Sequence, residues 1–195
     1  TVTNSPEGME LKALESHMVL WTHQSFESDV KIEYDFTRTD RGGGVCIIYI
    51  QATGRGDEGF EKDITEWSDA REGAGMGQYF RNMHTYHISY ACGYVRGRRY
   101  RPDIGRMNTF SELNPEYVYE NNEFFEVGVP YRVTIIKTDR AVRMKAASAD
   151  KVIYFELNNE RWPAVTEGRI GLRQMRSRWS IYKDFKVSVS DSSTR

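Results

Sequence analysis

Short apolar runs with alternating polar positions dominate the chain. Nine such runs are rich in β-branched and aromatic residues and are separated by compact polar turns such as TDRGGG, ADK and NNERWP. No long stretch has the apolar period of an amphipathic helix. Strands at this spacing predict an all-β sandwich of two antiparallel sheets. The runs cover residues 17–23, 30–38, 44–52, 84–94, 131–138, 141–148, 151–158, 168–175 and 180–190.

Alternation within two runs assigns side chains to sheet faces. In the run HISY, His87 and Ser89 lie on the face opposite Ile88, and in the run IGLRQM, Arg173 lies opposite Leu172. The apolar sets should meet between the two sheets. We therefore expect the histidine, the serine and the arginine on an outer sheet face, where a substitution such as His87→Ala should leave the fold intact.

Two segments interrupt the rhythm of short strands. Residues 53–80 are rich in glycine and acidic residues, with dispersed aromatic side chains, and residues 93–125 begin with a cluster of arginines. Connections of this length inside a compact domain are usually functional loops or lids. We expect one domain over residues 1–195 that carries these two long loops.

Composition limits the classes of partner. The 195 residues are 39% hydrophobic and 28% charged, which is ordinary for a globular protein, and the formal net charge is −1. This balance, with no recognised motif, argues against nucleic acid, and no apolar run is long enough to span a bilayer. Cys46 and Cys92 are too few for a disulfide framework, although a single disulfide stays open. Oligomeric state and compartment, periplasmic or cytoplasmic, are undecided.

Several motifs carry a resemblance to known proteins. The closing segment EGRIGLRQMRSRWSIYKDFKVS resembles the last strands of concanavalin-A-like jelly rolls. VLWTH, EYDF, HISY, the arginine-rich segment and GLRQM follow one another as in the bacterial family called domain of unknown function 1961, of the YesU type, to which the chain is similar. The resemblance implies a jelly-roll fold. It also implies an acidic polysaccharide or oligosaccharide as ligand, because family members occur in gene sets for pectin use.

The residue types around His87 suit elimination on a uronic acid. Arginine binds a carboxylate through two parallel hydrogen bonds, histidine is the natural base near neutral pH, and tyrosine can protonate a leaving oxygen. We assign catalysis to His87, Tyr94 and Tyr100. Candidate substrate-binding residues are Trp21, Ser89, Arg96, Arg99, Arg101, Arg173 and Gln174, and Arg98 and Arg106 belong to the same basic cluster.

Two other functions remain open. The chain could be a non-catalytic carbohydrate-binding module, or a glycoside hydrolase with an acidic pair from residues 57–72. The hydrolase signature E-x-D-x-x-E of the jelly-roll superfamily is incomplete, because Glu33 and Asp35 are followed by Arg38 at the third position. No cofactor is required for any of these readings. A structural calcium is an option, with Asp184 and carbonyls near residues 42–44 as ligands.

Overall fold

The computed structural model describes residues 1–42, 44–72, 75–104 and 124–190. Its short helices are the α-helix α1 (Met76–Asn82) and three single turns of 3₁₀-helix, Ile64–Trp67, Asp69–Arg71 and Pro102–Ile104. The strands are β1 (Val2–Ser5), β2 (Gly8–Lys12), β3 (Met18–Trp21), β4 (Phe26–Glu27), β5 (Val30–Arg38), β6 (Cys46–Gly54), β7 (Met83–Tyr90), β8 (Arg96–Tyr100), β9 (Pro130–Lys137), β10 (Ala141–Ala147), β11 (Val152–Asn158), β12 (Glu167–Gln174) and β13 (Trp179–Val189).

The strands form two antiparallel sheets that pack face to face. The seven-stranded sheet has the order β1-β2-β13-β5-β9-β10-β11. The other sheet has the order β3-β12-β6-β7-β8, and β4 pairs with β12. Apolar side chains from β5 and β9 meet those of β6, β7 and β12 in one core. This is the predicted jelly-roll sandwich, and the prediction of fold class is confirmed.

All nine predicted strands are present, and four short strands were missed. The run 84–94 ends early, because Ala91 takes a left-handed conformation with φ 60° and turns the chain. The arginines that follow form strand β8 (Arg96–Tyr100), so this part of the long loop expected over residues 93–125 is a strand. Residues 105–123, with Arg106, lie outside the described part of the chain.

The outer face of the six-stranded sheet is covered rather than exposed. Residues 55–72 and 75–82 fold back over it, and their Ile64, Trp67, Tyr79 and Phe80 form a second apolar cluster with side chains of β6 and β8. His87 is therefore 1% exposed, and Ser89 and Arg173 are 4% and 0% exposed. The expectation of a solvent-facing histidine is wrong because the dispersed aromatic residues of this segment bury the face. No helix in the described ranges is long and apolar enough to cross a membrane.

Candidate functional site

Five strands carry the candidate site on the outer face of the six-stranded sheet. Cross-strand register aligns their outward side chains in two rows. From β3 to β8 the first row is Trp21, Gly171, Tyr49, His87 and Arg98. The second row is Val19, Arg173, Ile47, Ser89 and Arg96. Directly opposed side chains on one face are close neighbours. The rows therefore place six residues named from the sequence on one face, namely Trp21, His87, Ser89, Arg96, Arg98 and Arg173.

His87 is held at both ring nitrogens. Its Nδ1 lies 2.6 Å from the hydroxyl of Tyr100, and its Nε2 lies 2.6 Å from the hydroxyl of Ser89. Burial lowers the pKa of His87 well below its ordinary value, and nearby positive charges add to this effect. The imidazole is therefore neutral at pH 7, which is the form a general base needs. The charges that contribute are those of Arg98, Arg173 and Arg96.

An aromatic stack runs beside the histidine. Tyr49 lies between Trp21, with ring centroids 5.4 Å apart, and Tyr79 of α1, with centroids 5.5 Å apart. Gly171 makes this possible, because a Cβ there would lie 2.5 Å from the Trp21 ring. Sequence analysis missed Tyr49, although its position one residue after Ile48 places it on the outer face of β6. What the sequence could not give is its cross-strand pairing with His87.

Arg173 stands out because no carboxylate among the described residues lies at ion-pair distance from its charge. The side chain is fully buried, and its guanidinium lies 4.7 Å above the Tyr79 ring. Its Nε contacts the Met175 sulfur at 3.3 Å, but neither Nη1 nor Nη2 has a hydrogen-bond partner among the described residues. The charge also opposes the rise in the pKa of Tyr49 that burial causes. A buried charge without a partner is unfavourable, so this group is suited to an incoming anion.

A cleft of about 430 Å³ opens beside this guanidinium. We call it the arginine cleft. Arg71 enters it from the second 3₁₀ turn, with its guanidinium 4.9 Å from the Trp67 ring and 5.6 Å from the Trp21 ring. Its Nη2 donates to the carbonyl of Ile64, and its Nε has no partner in the described ranges. The lining includes His17, Trp21, Arg71, Glu72, Tyr79 and Arg173.

Comparison with known proteins assigns the family. Residues 2–187 match the family described as Domain of unknown function (DUF1961). The chain belongs to this family. It is 24% identical over 175 residues to YesU of Bacillus subtilis (strain 168), a protein described as uncharacterized, and the match covers 89% of this chain and 77% of YesU. The family that the motifs indicated is confirmed.

Solved structures with the same fold support the assignment of the jelly roll. A Bacillus subtilis protein of unknown function with a galectin-like fold superimposes with a TM-score of 0.72 at 20% identity, over 95% of this chain and 85% of that one. The Bacillus subtilis carbohydrate binding module CBM66 gives 0.55 at 15% identity, over 96% and 91%. Alginate lyase A1-II' gives 0.53 at 8% identity, over 97% and 83%. At these identities the likeness establishes the fold.

Two residues assigned to binding face the interior between the sheets in this DUF1961 member. Arg99 lies 5.1 Å over the Tyr86 ring and donates to the carbonyls of Tyr100 and Thr85, and burial lowers its pKa to about 10. Gln174 donates to the hydroxyl of Tyr182 and accepts from the thiol of Cys46. Arg99 directly follows Arg98, and Gln174 directly follows Arg173, both of which lie on the outer face. Because side chains alternate along a strand, Arg99 and Gln174 point the other way. The structure therefore separates both from His87.

Three further assigned residues lie at the ends of β8. Tyr94 precedes the strand, with the guanidinium of Arg96 5.0 Å from its ring, whereas Tyr100 ends the strand beside His87. Arg101 follows the strand, where Asp103 pairs with it and the Trp162 ring lies 5.6 Å away. Of the two tyrosines assigned to catalysis, only Tyr100 has a described contact with His87.

The described residues do not fit the calcium site considered from the sequence. The carbonyl of Gly42 accepts hydrogen bonds from the guanidinium groups of Arg38 and Arg178, so cations already occupy its surroundings. Asp184 is exposed at an irregular step of β13, where its φ is 51°. No cluster of three potential metal-ligating side chains occurs within the described ranges.

Both cysteines are free thiols, and burial raises the pKa of Cys46 to about 12.

Proposed function

We propose that the chain binds uronate-containing oligosaccharides in the arginine cleft and acts on them by elimination, as a lyase or a dehydratase. The observation that carries this proposal is Arg173, a fully buried guanidinium whose two Nη atoms have no partner among the described residues. Arg173 lines the cleft, and its charge helps to lower the pKa of His87. A sugar carboxylate would satisfy both nitrogens at once through parallel hydrogen bonds.

The neighbouring groups supply the remaining steps of the reaction. Arg173 pairs with the sugar carboxylate, which makes the proton on the adjacent carbon more acidic. Neutral His87 takes this proton, and the electron pair forms a carbon–carbon double bond as the bond to the leaving oxygen breaks. Tyr100, whose pKa is raised by burial, keeps its proton until it donates to that oxygen and recovers a proton from His87. A glycosidic leaving oxygen gives chain cleavage, and a hydroxyl gives water.

A substrate screen tests the chemistry. We expect at least one oligosaccharide from pectin, rhamnogalacturonan, alginate or ulvan to give a product with the ultraviolet absorbance of an unsaturated uronate. Mass spectrometry then separates cleavage from loss of water. His87→Gln, checked for folding by circular dichroism, should lower the rate by about 10²–10⁴-fold. If none of these substrates gives the absorbing product, elimination is wrong.

Binding without turnover is the second candidate, and the burial of His87 favours it. Both ring nitrogens are already engaged and the side chain is 1% exposed, so a ligand in the cleft meets Trp21 and Arg173 before it meets the histidine. The likeness to the carbohydrate binding module CBM66 agrees with this option. Calorimetric titration with oligouronates tests this option. An oligouronate that binds but gives no absorbing product over a long incubation would support binding without turnover.

A further inference from the structure

Arg71 has no role in the proposed elimination, yet it shares the arginine cleft with Arg173. It is 9% exposed and lies between two tryptophan rings. One carbonyl, that of Ile64, accepts from its Nη2, and its Nε is unpartnered in the described ranges. Burial lowers its pKa, which reflects the unfavourable desolvation of this charge. Burial of so polar a group beside a second cation needs an explanation.

Arg178 shows how this chain balances the charge of a buried guanidinium. It forms two hydrogen bonds of 3.1 Å to the carboxylate of Asp40. Within the described residues, no carboxylate lies at ion-pair distance from Arg71 or Arg173; Glu72, on the lining of the cleft, forms no ion pair with either. The cleft therefore concentrates two buried positive charges that no carboxylate of the described ranges balances.

The two guanidinium groups lie against different aromatic rings of the cleft. Arg173 lies over the face of the Tyr79 ring at 4.7 Å, whereas Arg71 lies 4.9 Å from the Trp67 ring and 5.6 Å from the Trp21 ring. Two cations held on separate rings are placed to bind two separate oxyanions. A single carboxylate on Arg173 would leave the charge of Arg71 uncompensated.

We propose that the arginine cleft is a dianion site, in which Arg173 binds one oxyanion of an acidic oligosaccharide and Arg71 binds a second. The choice of an oligosaccharide rests on the proposed function, but the requirement for two anionic groups does not. The second group is a carboxylate or a sulfate ester, since both present oxygens that match the guanidinium fork. Ligands with one anionic group should fill only half of the site.

Small carboxylates test the charge requirement without any sugar. We expect succinate and glutarate to raise the melting temperature of the protein more than acetate does at equal ionic strength, because a ligand that binds only the folded state stabilises it. Arg71→Met and Arg173→Met should each remove this advantage, and Arg71→Lys should keep part of it. Arg143→Met is the matched control, because Arg143 pairs with Glu156 on the other sheet. Circular dichroism verifies that each variant is folded.

Two pairs of disaccharides then distinguish the source of the second anion. Digalacturonate is compared with its singly carboxyl-reduced form, and a sulfated chondroitin disaccharide with its desulfated form, by calorimetry. Where the second group is bound, Arg71→Met should weaken the dianionic ligand by about 10- to 150-fold and leave its monoanionic partner unchanged.

The dianion site is wrong if dicarboxylates stabilise the protein no more than acetate, or if their advantage survives in Arg71→Met. It is also wrong if Arg71→Met weakens monoanionic and dianionic disaccharides equally. Since both assays measure binding, the absence of an absorbing product in the substrate screen would remove the elimination chemistry and leave this result standing.

Discussion

At the scale of single residues, the buried imidazole of His87 contributes to the stability of the fold as well as to the candidate site. His87→Ala leaves the hydroxyls of Tyr100 and Ser89 without their partner in a buried environment. We expect the free energy of unfolding to fall by about 1–3 kcal/mol, measured by urea denaturation. An unchanged midpoint would contradict these hydrogen bonds. For this reason loss of activity in His87→Ala alone does not assign a catalytic role, and His87→Gln is the better variant.

The lowered pKa of His87 also predicts a pH dependence. The folded state holds the imidazole neutral, whereas the unfolded chain binds a proton near the ordinary pKa of about 6.5. The unfolded state therefore carries more protons below that pH, and stability falls as the pH drops from about 6.5 toward the folded pKa. Between pH 7.5 and 5.5 the wild type should lose more stability than His87→Gln. The comparison with His87→Gln is needed because the pKa values of His17 and His84 are also lowered and contribute to the loss in both proteins. Equal losses would mean that His87 does not titrate in this way.

Two fully buried arginines should respond in opposite ways to the same substitution. Arg173→Met removes a charge without a partner, so we expect the ligand-free protein to become more stable by about 1–4 kcal/mol. Arg178→Met removes the closer cation of buried Asp40 and leaves Arg38 at 3.8 Å, so it should cost about 3–5 kcal/mol. Thermal denaturation of both variants measures these opposite changes in stability. Destabilisation of similar size in both would show that Arg173 is a structural residue.

At the scale of elements, the site depends on how closely β3 can approach β12. Gly171→Ala would place a Cβ 2.5 Å from the Trp21 ring and push the ring out of its stack on Tyr49. We expect a loss of about 1–3 kcal/mol in stability together with weaker oligouronate binding. Gly77→Ala in α1 is the control, because its nearest neighbour lies at 3.9 Å and alanine favours helix. It should raise stability by about 0.5–1 kcal/mol. Unchanged binding by Gly171→Ala would exclude Trp21 from the ligand site.

At the scale of the whole molecule, the two outer faces differ in character. The outer face of the six-stranded sheet is buried beneath residues 55–72 and 75–82, whereas the outward acids of β5 on the other sheet form ion pairs at the surface. Glu33 pairs with Lys31 at 2.9 Å and Asp35 with Arg132 at 3.2 Å. Glu33→Gln combined with Asp35→Asn should therefore leave ligand binding and product formation unchanged. Loss of turnover in this double variant, measured on the same substrates, would favour a hydrolase instead.

The sequence by itself determined the local features of this protein. Alternation in HISY and IGLRQM placed His87, Ser89 and Arg173 on one side of their strands, because side-chain direction has a period of two residues. The same rule, had it been applied to Arg99 and Gln174, would have assigned them to the interior. Motif order was sufficient to identify the family.

Only the tertiary structure decided which of these residues form a site. Trp21, Tyr49 and His87 become neighbours through cross-strand register between segments far apart in the chain, and no local pattern encodes register between distant strands. The role of the glycine-rich segment that begins at residue 53 also depends on packing. Its Trp67 and Tyr79 pack on the sheet, and this places Arg71 in the same cleft as Arg173. Burial and the absence of a countercharge are properties of that packing. They turn an ordinary arginine into a group suited to an anion.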